Sequence, residues 1–405
     1  MGTLGDATTN VTYHIQDGAA PDAYRGRKVS PVQNSTKDLQ ILSNLVLNPT
    51  LSCLSSREGL AAEDEPQIVS PDLKGISSLD LVDLQRLKSL AATNHVIIRA
   101  FQPLREILVS TGAFEEATFV SDQIQLEKRR IDNALGFLAE ICDALEPRGF
   151  QPTVIKSLDH WPDLGSDLDL FINGDSDRLI ELLRTRFHAT LEPRSWGDRL
   201  ASKWNFVIPG LPELVEVHVG RLGQTGEQTA VTRSLAERRE PKTIAGYPFR
   251  VAAPEDRIVI STLQRMYRHF YIRLCDIIDN AELLESGEVS FTYLHRLGSA
   301  AGIWEGISTY LTIVSEYVET FRGRGVSLPA LVTGTARFNT SQVSFRRDFL
   351  RVPILPHSLN LYANELKNLL LRGEIRNSFR LSLLPGLATA AAIEQKLTGS
   401  DKGIW

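Results

Sequence analysis

Apolar positions along the chain follow three regimes. Residues 1–40 mix Gly, Thr, Asn, Asp and Pro without period, which predicts a tail or a loosely docked arm. Short apolar patches at Ile41, Leu42, Leu45 and Val46, broken by Pro49, Pro66 and Pro71, extend that reading to residue 75. Between Ser78 and Ser110, Leu81, Leu84, Leu87 and Leu90, then Ile97 and Ile98, recur at helical spacing. Between Glu116 and Glu146, Ile131, Leu135, Leu138, Cys142 and Leu145 step by four and three into one stripe. Pro147 and Gly149 stop it, so residues 76–150 read as a helical module.

The period changes after Phe150. Thr153–Leu158 is a short β-forming run, Leu168–Ile172 alternates, and Asp175–Phe187 has a helical pattern. Lys203–Ile208 and Leu214–Val219 are two further strands, joined by Pro209-Gly210-Leu211-Pro212, a turn suited to a hairpin. The succession predicts an α+β fold with a small mixed sheet over 151–255. Beyond Pro254 a helical domain is expected to run to residue 405, with Asp256–Asn280, Gly302–Arg322 and Ser358–Arg372 as its clearest helices. Residues 327–356, with Pro329, Pro353 and Pro356, read as irregular.

Composition narrows the class. With 405 residues, 42% hydrophobic and 23% charged, the chain reads as a soluble protein of two or three packed units. A net charge of −5 and a pI near 6.0 argue against a chain built to coat nucleic acid. Cys53, Cys142 and Cys275 fit neither a disulfide framework nor zinc-ligand spacing, and they suit a reducing compartment. The first residues hold no basic lead and no apolar run, and no stretch approaches spanning length. A cytoplasmic protein without a membrane partner is expected. Phosphate-binding, dinucleotide and nucleophile-elbow glycine motifs are absent from the sequence, as is His-Glu-x-x-His.

The chemistry concentrates in Val154–Ile172. On a strand, Leu168, Leu170 and Ile172 point to one side, and Asp167, Asp169 and Phe171 to the other. The two carboxylates then lie roughly 6–7 Å apart at the backbone. Such a pair repels unless a cation lies between them, and Mg²⁺ (or Mn²⁺) prefers hard oxygen ligands with positions left open for phosphate. In Leu214-Val-Glu-Val-His-Val219 the valines form a buried face and leave Glu216 and His218 together on the other, which supplies a third acid. Glu213 is a rival for that role. Gly165 and Ser166, just before the first acid, offer a tight turn and backbone N–H groups for phosphate.

Gly-Ser followed by Asp-x-Asp, then one acid on a later strand, resembles the polymerase-beta-like nucleotidyltransferase superfamily. More narrowly it is similar to the bacterial family of uncharacterised nucleotidyltransferases. The matching residues are Lys156-Ser157, Pro162, Asp167-Leu168-Asp169-Leu170, Glu216-Val217-His218, and Pro254-Glu255-Asp256 leading to His269, Asp276 and Asp279. Lys-Ser stands where the family shows Lys-Gly, and Leu164-Gly165-Ser166 stands where an Arg often precedes the first acid. The resemblance implies transfer of a nucleoside monophosphate from a nucleoside triphosphate, with pyrophosphate leaving. Asp167, Asp169 and Glu216 would hold metal, and Lys156, Ser157, Gly165, Ser166 and His218 would contact nucleotide or phosphate.

Arg265, His269 and Arg273 share a helical stripe with Asp276, and either reach across the cleft to phosphate or form a solvated face with internal ion pairs. Arg194, Arg199 and Lys203 read as surface charge, Asp159 and Asp163 as loop residues, and Trp161 and Trp196 as side chains buried under loops. The acceptor is expected to be a small molecule or peptide rather than long nucleic acid. A non-catalytic nucleotide-binding or partner-binding module on the same fold is the alternative.

Overall fold

The computed structural model describes residues 31–48, 76 and 79–386. Helix α1 (Pro31–Leu47) lies inside the segment expected as an arm. Leu42, Leu45 and Leu47 are buried, Asp38 pairs with Arg86 at 2.5 Å, and Ser43 Oγ is 2.7 Å from the Tyr317 hydroxyl. The rest of the expected arm, residues 1–30 and 49–75, lies outside the described residues, as does Cys53.

The helical module forms as α2 (Leu81–Thr93), α3 (Ile97–Ser110) and α4 (Phe114–Leu145). Its anticipated stripe, Ile131 through Leu145, is buried throughout. Asp80 caps α2 by accepting from the Asp83 N–H at 2.8 Å.

A seven-stranded mixed sheet follows, and with the flanking helices it makes the fold α+β. Its elements in chain order are β1 (Thr153–Val154), β2 (Asp167–Ile172), α5 (Ser176–Phe187), β3 (Thr190–Leu191), α6 (Trp196–Ala201), β4 (Lys203–Val207), β5 (Leu214–Val219), α7 (Thr229–Glu237), β6 (Glu240–Ile244) and β7 (Tyr247–Val251). The spatial order is β3-β4-β5-β2-β1-β7-β6. The hairpin expected across Pro209–Pro212 is the antiparallel β4–β5 pair. Strands β2 and β5 run parallel, with Asp169 opposite Glu216 and Phe171 opposite His218. Only Thr153 and Val154 of the run Thr153–Leu158 are strand, because the chain turns sharply at Lys156.

The long helix anticipated over Asp256–Asn280 is interrupted. It divides into α8 (Pro254–Thr262), a π-helical turn (Leu263–Arg268), the short strand β8 (Tyr271–Ile272) and α9 (Leu274–Glu285). Phe270 adopts φ 54° at the break, a conformation no glycine or proline signalled. Asp276 then accepts the Arg273 N–H at 2.7 Å and starts α9.

Helices α10 (Phe291–Ala301), α11 (Trp304–Arg322) and the short α12 (Ala330–Thr333) complete the body. The segment read as irregular holds a hairpin, β9 (Ser344–Arg346) and β10 (Phe349–Arg351), which pairs with β8 in a second, three-stranded sheet. Helices α13 (Leu359–Leu371) and α14 (Ile375–Ser382) end the described chain. Among the described residues, no helix is long and apolar enough to cross a membrane.

Candidate functional site

The N-terminal halves of β2 and β5 carry the acids on the floor of a cleft. Alternation on β5 buries Val215, Val217 and Val219 on one side and sends Glu216 and His218 to the other, the face Asp167 and Asp169 share on β2. The roof is the π-helical turn and the loop into β8. A cavity of about 160 Å³ lies between them, and Asp167, Asp169 and Glu216 line it together with Lys156, Ser157, Gly165 and Ser166. Arg265, His269 and Arg273 line it too, although no continuous helix carries them. His218 borders an adjoining pocket and donates or accepts at Nε2, 2.9 Å from Glu216 Oε1. All the candidate site residues singled out from the sequence except His218 thus line one cleft.

Charge in the floor is tightly organised. Lys156 Nζ contacts Asp169 Oδ1 and lies 3.6 Å from Glu216 Oε1. Lys203 Nζ reaches Glu216 Oε2 at 2.9 Å and Asp198 Oδ1 at 3.0 Å. Burial raises the pKa of Asp169, with Glu216 and Asp167 adding to the rise and Lys156 opposing it. Burial pushes Glu216 the same way, but Lys156, the bond to His218 and Lys203 overcome it and hold Glu216 well below the usual carboxylate range. Burial also lowers His218 to about 4 against the pull of Glu216, so its ring is neutral at pH 7 and its Nε2–H donates to that carboxylate.

Lys156 owes its position to a backbone turn. Its φ of 66° and ψ of −57° describe a γ-turn closed by the Ser157 N–H on the Ile155 carbonyl at 2.7 Å. A side chain in that region costs about 1–3 kcal/mol, which the surroundings must offset. Ser157, at the position where the family shows glycine, helps to do so: its Oγ accepts the Asp169 N–H at 2.7 Å and lies 3.2 Å from the Asp167 carbonyl. The turn at Gly165 is held from behind, where Arg130 of α4 donates to the carbonyls of Leu164 (3.0 Å) and Gly165 (3.3 Å).

Comparison with protein-family models gives no match, and no curated protein matches. Among solved structures, the fold is similar to an antigenic nucleotidyltransferase-like protein from Paracoccidioides brasiliensis, at 16% identity and a TM-score of 0.34. That likeness covers 50% of this chain and 97% of the other. It is too remote to carry residue roles, which rest on the geometry above.

Several residues stand elsewhere than the sequence suggested. Lys203 is not surface charge but is buried and bridges Glu216 to Asp198. Glu213, the rival acid, is buried on the far side against Arg130. Asp163 is no free loop residue: it accepts the N–H groups of Ile98 (2.6 Å) and Arg99 (3.1 Å) at the start of α3. Asp159 pairs with Arg257 at 2.6 Å. Trp196 is 69% exposed and Trp161 37%, so neither is buried under loops. Arg194 lies over the Trp204 ring at 3.6 Å. Arg265 lines the cleft but is committed to Asp276, its Nε 2.7 Å from Oδ2.

Arg268 was missed. It borders both the cleft and the adjoining pocket, and its Nε has no hydrogen-bond partner among the described residues. Its neighbour His269 was singled out on helical spacing, and that spacing fails where the helix widens to a π turn. Asp169, Glu216 and His218 each offer one ligand atom within 4.8 Å of the others and could hold a metal ion, whereas Asp167, singled out with the two acids from the sequence, lines the cleft outside that group. Two hard carboxylates in that group, with Asp167 at the rim, suit a divalent cation of the Mg²⁺ type.

Proposed function

We propose that the cleft transfers a nucleoside monophosphate from a nucleoside triphosphate to an acceptor nucleophile, with release of pyrophosphate. The observation that supports this best is the Asp169–Glu216 pair on one sheet face beneath a roof carrying Arg268, His269 and Arg273. Acids below and guanidinium groups above match the two needs of a metal–polyphosphate ligand. A bound Mg²⁺ or Mn²⁺ would supply charge neutralisation at the phosphates.

The protein's own groups do the positioning. Asp167 and Asp169 from β2 and Glu216 from β5 would hold the ion. Gly165 and Ser166 would offer backbone N–H groups to phosphate, with the turn fixed by Arg130. Arg268 and Arg273 would hold the departing pyrophosphate oxygens in line, and Lys156 would join them there. The neutral His218 fixes the orientation of the Glu216 carboxylate. The acceptor is proposed to be a small molecule or peptide. Pyrophosphate release, assayed with Mg²⁺, each nucleoside triphosphate and a panel of sugars, amino acids and peptides, tests the reading. Nucleotide binding without release under every acceptor would favour the non-catalytic module.

A further inference from the structure

We infer that Lys156 is a built-in counter-cation of the acid pair, which a divalent ion must displace, so that ion and nucleotide enter the cleft cooperatively. The inference rests on the nucleotidyl-transfer reading for its nucleotide, though not for its metal.

The ammonium contacts Asp169 and stands 3.6 Å from Glu216, and these are its ion-pair partners among the described residues. The same two carboxylates supply the oxygens of the metal-ligating group. A divalent ion held by the same two carboxylates would take over the charge that the ammonium now balances. The two cations compete for one pair of acids.

Lys156 also has neighbouring space to enter. Its stem borders a second pocket, walled by Ile155, Leu222, Ile260 and Leu263, which shares Lys156, Gln264 and Arg268 with the acid cleft. That neighbouring space lies beside Arg268, the side where phosphate would lie. Metal arriving alone strands a mostly buried ammonium without its anions. A triphosphate arriving with the metal gives the ammonium new oxygen partners. Each ligand then tightens the other by the same factor.

Mn²⁺ alone serves as the probe, with its affinity for the nucleotide-free protein read by electron paramagnetic resonance. Lys156→Met and Lys156→Gly are each expected to bind Mn²⁺ at least tenfold more tightly than wild type. Lys156→Arg, which keeps the charge, should not. Tightening by a non-hydrolysable nucleoside triphosphate, corrected for Mn²⁺–nucleotide association, should be large in wild type and near unity in Lys156→Met. The glycine variant tolerates positive φ, so its thermal midpoint guards against loss of fold. Unchanged or weaker Mn²⁺ binding in both uncharged variants overturns the inference. Tighter Mn²⁺ binding with no nucleotide bound by any variant keeps Lys156 as counter-cation and sinks the nucleotidyl-transfer reading. Absence of Mn²⁺ binding in every variant, with or without nucleotide, overturns both.

Discussion

Asp169 and Glu216 are register partners on parallel strands, yet their acidities are driven apart. Burial raises Asp169, with Glu216 and Asp167 adding to the effect, while Lys156, His218 and Lys203 overcome burial and draw Glu216 down. Two neighbouring carboxylates with such different surroundings avoid carrying full charge together. The floor remains rich in oxygen ligands.

Lys203 contributes to the lowering of Glu216 after Lys156 and the bond to His218. Lys203→Met leaves Glu216 and Asp198 each short of a buried partner, and should lower unfolding free energy by about 3 kcal/mol, measured by urea denaturation. A loss within about 0.5 kcal/mol, the range for ordinary surface substitutions, would return Lys203 to solvent.

Arg268 and Arg265 line the same cleft but should behave differently. Arg268→Met removes a guanidinium free to meet phosphate, and nucleoside triphosphate affinity should fall about tenfold or more while Mn²⁺ affinity and thermal midpoint hold. Arg265→Met breaks the buried pair with Asp276 and should lower the thermal midpoint sharply. Equal effects of the two on stability would contradict the division between them.

Asp163 gives a pH dependence. Burial pushes its carboxyl up to about 6, against the pull of the Ile98 and Arg99 N–H groups. Between the unfolded value near 3.8 and about 6, the folded chain keeps a proton that the unfolded chain has released. Its contribution is therefore full below about pH 4 and lost as pH rises through 6. Relative to Asp163→Asn, wild type should lose about 2–3 kcal/mol across that window, read from unfolding midpoints at pH 4 and 7. A constant difference would mean that Asp163 titrates normally.

The acid face was legible because strand alternation is a local rule: Val215, Val217 and Val219 announce where Glu216 and His218 must point. The hairpin was legible for the same reason, in Pro209-Gly210-Leu211-Pro212. What escaped depends on groups distant in sequence. Lys203 resembles surface charge until β4 lies beside β5 and brings it to Glu216. The break after Arg268 carries no glycine or proline and is set by Phe270 at positive φ and by Asp276 capping α9. Asp163 becomes a helix cap only when the Pro162 loop meets α3. Arg265, His269 and Arg273 still converge on the cleft through the π turn, although the helix expected to carry them is broken.

The most direct test of the site is calorimetric titration of Mg²⁺ with nucleoside triphosphate into wild type and into Asp167→Ala/Asp169→Ala. Wild type should bind the pair with an affinity that needs Mg²⁺, and the double variant, still folded by circular dichroism, should lose at least a hundredfold. Equal affinity in the two proteins would contradict a metal–phosphate site on β2.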